Sequence, residues 1–212
     1  MGETTILKLA TQLNRWLVVA SLALTAPVNG QESLSSKPKL DQPIRIDYKL
    51  PEIRNDGKAV TLSLKELKGD KKLVLFFFSE QCGVTYYYKN RIQLLQKEFE
   101  AKGFVFVGVR GGRREAPDRP LEIAETKYLK MPFLDDAKGE LVSAFKVGRS
   151  VTFDVIDQAG KLRYRGGFDD NVDAKKVKKS FLRSALISLA ANKPIAIREG
   201  DGLGCAIIPI KP

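Results

Sequence analysis

KLVLFFFSEQCGVTYYYKNRIQLLQKEF, residues Lys72 to Phe99, decides the fold. Leu73 to Phe78 run apolar without a break. The run is too short to cross a membrane and is bounded by polar residues, so it predicts a strand buried on both faces. Ser79-Glu80-Gln81 ends it, and Cys82 follows. Beyond Cys82, Val84, Tyr88, Ile92, Leu95 and Phe99 recur at spacings of four, four, three and four, which is one face of a helix. Lys89, Asn90, Gln93, Lys97 and Glu100 occupy the other face. Cys82 therefore stands where a buried strand becomes the first turn of an amphipathic helix. Unpaired backbone N–H groups and the positive end of the helix dipole favour a thiolate there. That placement makes Cys82 a candidate nucleophile.

Outward from this stretch the chain reads as an α/β domain with a central mixed sheet and helices on both faces. Phe104 to Val109 is a second buried strand, which completes a strand–helix–strand unit with parallel strands. On the N-terminal side, Pro43 to Leu50 alternates as a first strand, Asn55-Asp56-Gly57 is a turn, and Val60-Thr61-Leu62 resumes the extended pattern. Ser63 to Lys68 predicts a single helical turn closed by Gly69. On the C-terminal side, short helices are expected over 120–129 and 139–145, with Pro132-Phe133-Leu134 extended between them. Val151 to Ile156 and Lys161 to Tyr164 flank a hairpin turn, and Val172 to Ala191 reads as a last amphipathic helix on Val177, Phe181, Ala185 and Leu189. Residues 192–212 are rich in glycine and proline and read as an irregular, mobile tail carrying Cys205.

Composition narrows the chemistry. The 212 residues contain no histidine and two cysteines. Ser-His-Asp and Cys-His catalysis and any His-ligated metal site are thereby excluded, and two cysteines cannot fill a four-ligand zinc site. No metal or bound cofactor is expected. The net charge of +11 comes from 36 Lys and Arg against 25 Asp and Glu. The basic residues are spread through every segment with no aromatic-interleaved stripe, so a solvated basic surface is expected and nucleic acid is not. Lys8 and Arg15, then the apolar stretch Trp16 to Ala26, resemble a secretory signal with cleavage between Gly30 and Gln31. The alternative is an uncleaved anchor. The organisation expected is a signal over 1–30, a linker over 31–42, one domain over 43–192 and a tail over 193–212. The domain is expected to be exported, periplasmic or secreted, without stable membrane insertion after cleavage, in a compartment that permits disulfides.

Four features together resemble the thioredoxin-fold redoxins, in particular the alkyl hydroperoxide reductase and thiol-specific antioxidant (AhpC/TSA) group related to the peroxiredoxins. They are Leu50-Pro51 with Gly57 to Leu64, LVLFFFSEQC, FDVIDQAGKLRYRGGFDD, and the late Gly204-Cys205. The resemblance implies a thioredoxin-like fold and a reactive Cys82. It sets Ser79 in the Thr/Ser place of the Pro-x-x-x-Thr/Ser-x-x-Cys motif, makes Arg149 the nearest match to the family's arginine, and gives Cys205 the place of a resolving thiol. This chain departs from the family in three places. Thr85 stands where a C-x-x-C pair has its second cysteine, Leu75 stands in the motif's proline place, and no proline occurs near Val151. Three readings follow: a thiol peroxidase acting on a peroxide, a thiol–disulfide oxidoreductase acting on a disulfide, each restored by an external thiol reductant, and a non-catalytic interaction domain with Cys82 and Cys205 joined as a staple. Arg110, Arg113 and Arg114 are expected at the same sheet edge as Cys82, as an anion-attracting cluster or a solvated turn. Tyr86 and Tyr87 are read as packing or site-lining residues. Asp169-Asp170 is read as a helix cap or a family feature.

Overall fold

A computed structural model describes residues 36–54, 56, 58, 60–112 and 129–208. In chain order the elements are β1 (Lys49–Pro51), β2 (Thr61–Ser63), α1 (Leu64–Lys68), β3 (Lys72–Phe78), α2 (Gly83–Glu100), β4 (Phe104–Gly111) and β5 (Phe133–Asp136). They continue with α3 (Glu140–Ala144), β6 (Thr152–Ile156), β7 (Leu162–Gly166), a 3-10 turn at Ala174–Lys176 and α4 (Phe181–Ala190). The main sheet has the order β5-β4-β3-β6-β7. β3 is central, parallel to β4 and antiparallel to β6, so the sheet is mixed. β1 and β2 form a separate antiparallel pair.

Alternation along β3 explains the layers. Val74, Phe76 and Phe78 point into one core with Tyr88, Ile92, Leu95 and Phe99 of α2 and Leu182, Ala185, Leu186 and Leu189 of α4. Leu73, Leu75 and Phe77 point the other way, onto Leu64 of α1, Leu141 and Val142 of α3, and Phe145. Helices thus cover both faces, and every apolar residue of the strand is buried. Phe76 stacks on Phe78 and on Phe153, each with ring centroids 5.1 Å apart. Each such aromatic contributes roughly 1.5–3 kcal/mol by leaving water. Gly108 is required by packing, because a Cβ there would lie 2.3 Å from the Phe133 ring.

Several expectations are corrected. The first strand is confined to Lys49–Pro51, and Pro43 makes only an isolated bridge to Lys161. The last helix does not begin at Val172. Asp173 accepts from the Lys175 N–H at 3.0 Å, and Asp170 accepts from the Lys178 and Lys179 N–H groups at 2.9 and 3.0 Å. These carboxylates satisfy backbone donors locally and hold 173–179 out of the helix, which starts at Phe181. Val177 is extended, and Leu182, Ala185, Leu186 and Leu189 form the buried face. The end of the expected linker is bound to the sheet, with the Asp41 N–H donating to the Leu162 carbonyl at 2.7 Å and the Leu162 N–H to the Gln42 carbonyl at 3.1 Å. Arg110 is no solvated turn residue. It is buried and paired with Asp135 at 3.2 Å. The expected signal over 1–30, most of the helix expected over 120–129, Asn55, Gly57, Arg113 and Arg114 lie outside the described residues. Among those described, no helix is long and apolar enough to cross a membrane.

Among the described residues the tail holds no regular element after Ala190, but it is pinned rather than loose. The Arg165 N–H donates to the Arg198 carbonyl at 2.9 Å and the Gly200 N–H to the Arg165 carbonyl at 3.2 Å. Further on, the Ser150 N–H donates to the Cys205 carbonyl at 2.9 Å and the Ile207 N–H to the Gly148 carbonyl at 3.0 Å, with a bridge between Arg149 and Ala206. Glycine makes this docking possible. A Cβ on Gly202 would meet the Val151 carbonyl at 2.9 Å, so backbone lies directly on backbone.

Candidate active site around Cys82

β3 delivers the cysteine. The strand ends at Phe78, and Cys82 is the N-cap of α2 with extended dihedrals and no side-chain capping bond of its own. The intervening loop closes on itself, with the Cys82 N–H donating to the Ser79 carbonyl at 3.1 Å. β6 runs antiparallel to β3 with Thr152 opposite Phe77, so the residues just before β6 arrive at the same edge. There the Ser79 N–H donates to Ser150 Oγ at 3.1 Å. The Thr85 hydroxyl donates to the Ser79 carbonyl at 3.0 Å and lies 3.2 Å from Ser150 Oγ. The Ser150–Val151 peptide bond is cis.

The tail adds the second cysteine. The Cys205 N–H donates to Cys82 Sγ at 3.3 Å. Residues 123 positions apart in sequence are therefore neighbours. Both are free thiols; Cys82 is buried and Cys205 exposed. Burial pushes the Cys82 thiol up, and this is the largest single influence. Hydrogen bonds from the Cys205 side chain and N–H, the Val84 N–H and the Ser150 hydroxyl together outweigh it and hold the thiol below its ordinary value. The cause is hydrogen bonding to the charged form, which favours the thiolate over the thiol. Among the described residues, no cluster of three Asp, Glu, Cys or His side chains could hold a metal ion.

The predicted site residues are brought together unevenly. Cys82 and Cys205 meet. Ser79 is beside them, but its groups serve the loop: its carbonyl accepts from Thr85 and Cys82, and its hydroxyl accepts from the Gln81 N–H at 3.3 Å. The Arg149 guanidinium donates to the Gly204 carbonyl at 3.2 Å and thus holds the tail. Sequence reading missed Ser150 altogether and saw Thr85 only as a missing cysteine. The signal for Thr85 was its place in the first turn of α2; nothing local marked Ser150, whose role comes from strand pairing. Nearby, Tyr88 Oη donates to Asp169 at 2.8 Å, and Arg91 pairs with the same carboxylate and donates to the Val172 carbonyl at 2.6 Å. Asp169 therefore ties the loop after β7 to α2, while Asp170 closes the turn before α4. Tyr87 is exposed, so it is no packing residue. A cavity lined by Lys72, Asp157, Arg163, Lys193 and Arg198 opens at the start of β3, the opposite end of that strand from the cysteines.

This sheet order with a helix-capping cysteine at the end of the central strand defines a thioredoxin-fold redoxin. Residues 45–165 match the AhpC/TSA family, and the chain belongs to it. A hypothetical protein of Sinorhizobium meliloti 1021 is similar, at 22% identity and TM-score 0.69, covering 84% of this chain and 98% of that one. Peroxidoxin BcpB of Mycobacterium tuberculosis has TM-score 0.55 at 24% identity, covering 73% of this chain and 97% of that one. A putative thiol:disulfide interchange protein DsbE of Chlorobium tepidum has TM-score 0.50 at 22% identity, covering 61% and 85%. A comparison with curated proteins gives no match.

Proposed function

We propose that the chain is an exported thiol peroxidase of this family, with Cys82 as the attacking sulfur and Cys205 as the resolving one. The observation that carries the reading is the 3.3 Å hydrogen bond from Cys205 onto Cys82 Sγ, between two free thiols. The Cys82 thiolate attacks one peroxide oxygen. The S–O bond forms, the O–O bond breaks, and the alcohol or water leaves after taking up a proton. The Cys205 thiolate then attacks the sulfenic sulfur, water leaves, and a Cys82–Cys205 disulfide remains. An external dithiol restores both thiols by exchange. It meets Cys205 first, because that sulfur is exposed and Cys82 is not. No bound cofactor is required, since sulfur carries the electrons throughout.

Disulfide exchange is the second reading. It is favoured by Leu75, which stands in the middle of β3 opposite Asp154 where the peroxidase motif has proline. The test is peroxide treatment of the reduced protein, followed by intact mass and a sulfenic-acid trap. A peroxidase loses two hydrogens to form the disulfide, and Cys205→Ser accumulates trappable sulfenic acid at Cys82. Reduced protein that is inert to peroxide yet exchanges with a model disulfide would move the assignment to the second reading.

A further inference from the structure

We infer that the C-terminal tail is part of the catalytic machinery: the backbone N–H of Cys205 is a hydrogen-bond donor to the attacking sulfur, held in place by Gly204. The inference rests on Cys82 being the reactive thiol. A helix N-terminus alone gives the sulfur the donors of its own first turn, here the Val84 N–H. The tail brings a donor from the far end of the chain. Its position is set on both sides of Cys205. The carbonyl of Cys205 accepts from the Ser150 N–H at 2.9 Å, and the carbonyl of Gly204 accepts from Arg149 at 3.2 Å. The N–H between those two carbonyls is left facing Cys82 Sγ.

Only glycine permits this approach. Gly204 has φ +145°, in the region that favours glycine, and a Cβ there would lie 1.9 Å from the Ser150 carbonyl oxygen. Any other residue must move the tail away from 150–151 and take the donor with it. Cys205 thus has two separable parts. Its main chain donates to the sulfur from a fixed position, and its side chain, a further donor before reaction, resolves the oxidised sulfur afterwards. A hydrogen bond to a charged group is worth on the order of tenfold or more in the population of the charged form.

The experiment separates main chain from side chain. In the full chain carrying Cys205→Ala, the amide linking residues 204 and 205 is replaced by an ester through semisynthesis, which deletes the N–H and keeps the shape. Thiolate formation at Cys82 is followed by its ultraviolet absorbance against pH. The Cys205→Ala amide protein is expected to titrate below the ordinary value of about 8.5, and the ester to hold about tenfold less thiolate at neutral pH. Gly204→Ala, made by ordinary expression, is expected to lose thiolate to the same degree. An ester or a Gly204→Ala protein that titrates like its parent overturns the inference. So does a Cys205→Ala amide protein that already titrates at the ordinary value, since the side chain would then be the donor. A wild-type chain with an ordinary Cys82 titration and no peroxide reaction is a different result, because it removes the proposed function itself.

Discussion

Arg165→Leu should cost about 3–5 kcal/mol, and the cost should vanish when Asp154→Leu is added. The two residues are paired directly across β6 and β7. Arg165 Nε donates to Asp154 Oδ1 at 2.7 Å, and the second arm of the guanidinium engages Oδ2. Asp154 is fully buried and Arg165 nearly so, with side-chain exposures of 0% and 7%. Water cannot take over when the guanidinium leaves, so the single substitution strands a carboxylate in the sheet. At about 2–4 °C per kcal/mol for a domain of this size, the melting temperature should fall by roughly 6–20 °C. The double variant replaces both charges with apolar groups and should lie within about 1 kcal/mol of wild type or above it. Urea unfolding of the four proteins in a double-mutant cycle measures the coupling. The Arg165 main chain also anchors the tail through Arg198 and Gly200, and the substitution leaves those bonds in place. An Arg165→Leu cost below about 1 kcal/mol, or a double variant as unstable as the two singles combined, would refute the argument that desolvation governs this pair.

Other outcomes follow from the same geometry. Ser150→Ala should raise the Cys82 titration and lower the thiolate at neutral pH by about tenfold, because it deletes a donor to the sulfur; an unchanged absorbance titration would exclude Ser150 from the donor set. Burial pushes Asp136 up to about 6, against the Val142, Leu141 and Glu140 N–H groups at the start of α3 that pull it down. Its folded value exceeds the unfolded one of about 3.9, so its stabilising contribution is complete below pH ~4 and is lost as pH rises through about 6, on the order of 3 kcal/mol. Asp136→Asn should flatten that part of the stability curve, and a variant with the wild-type slope there would remove the assignment. Phe76→Ala opens a cavity between the rings of Phe78 and Phe153 and should cost about 3–5 kcal/mol by denaturant unfolding. A loss under about 1 kcal/mol would mean that the core beneath α2 and α4 does not depend on the Phe76 ring.

The fold and the placement of Cys82 at a helix start were legible in the sequence because both rest on local rules. An apolar run of six residues bounded by polar ones has few places to go except the centre of a sheet. The spacing of Tyr88, Ile92, Leu95 and Phe99 admits one buried helical face. The place of the cysteine at their junction, as N-cap of α2, follows from the same local pattern. The last helix was misread because Asp170 and Asp173 bind backbone N–H groups of their own loop, a competition that apolar periodicity does not register.

Tertiary structure alone decided what surrounds the sulfur. Ser150 reaches it because β6 pairs antiparallel with β3 and starts at the edge where β3 ends. Cys205 reaches it because glycines let the tail lie backbone to backbone against residues 148–151 and 165–167. In the sequence those glycines signal only flexibility. The same lack of a side chain that frees an isolated chain lets a docked one come close, and which of the two applies depends on whether a matching surface is present.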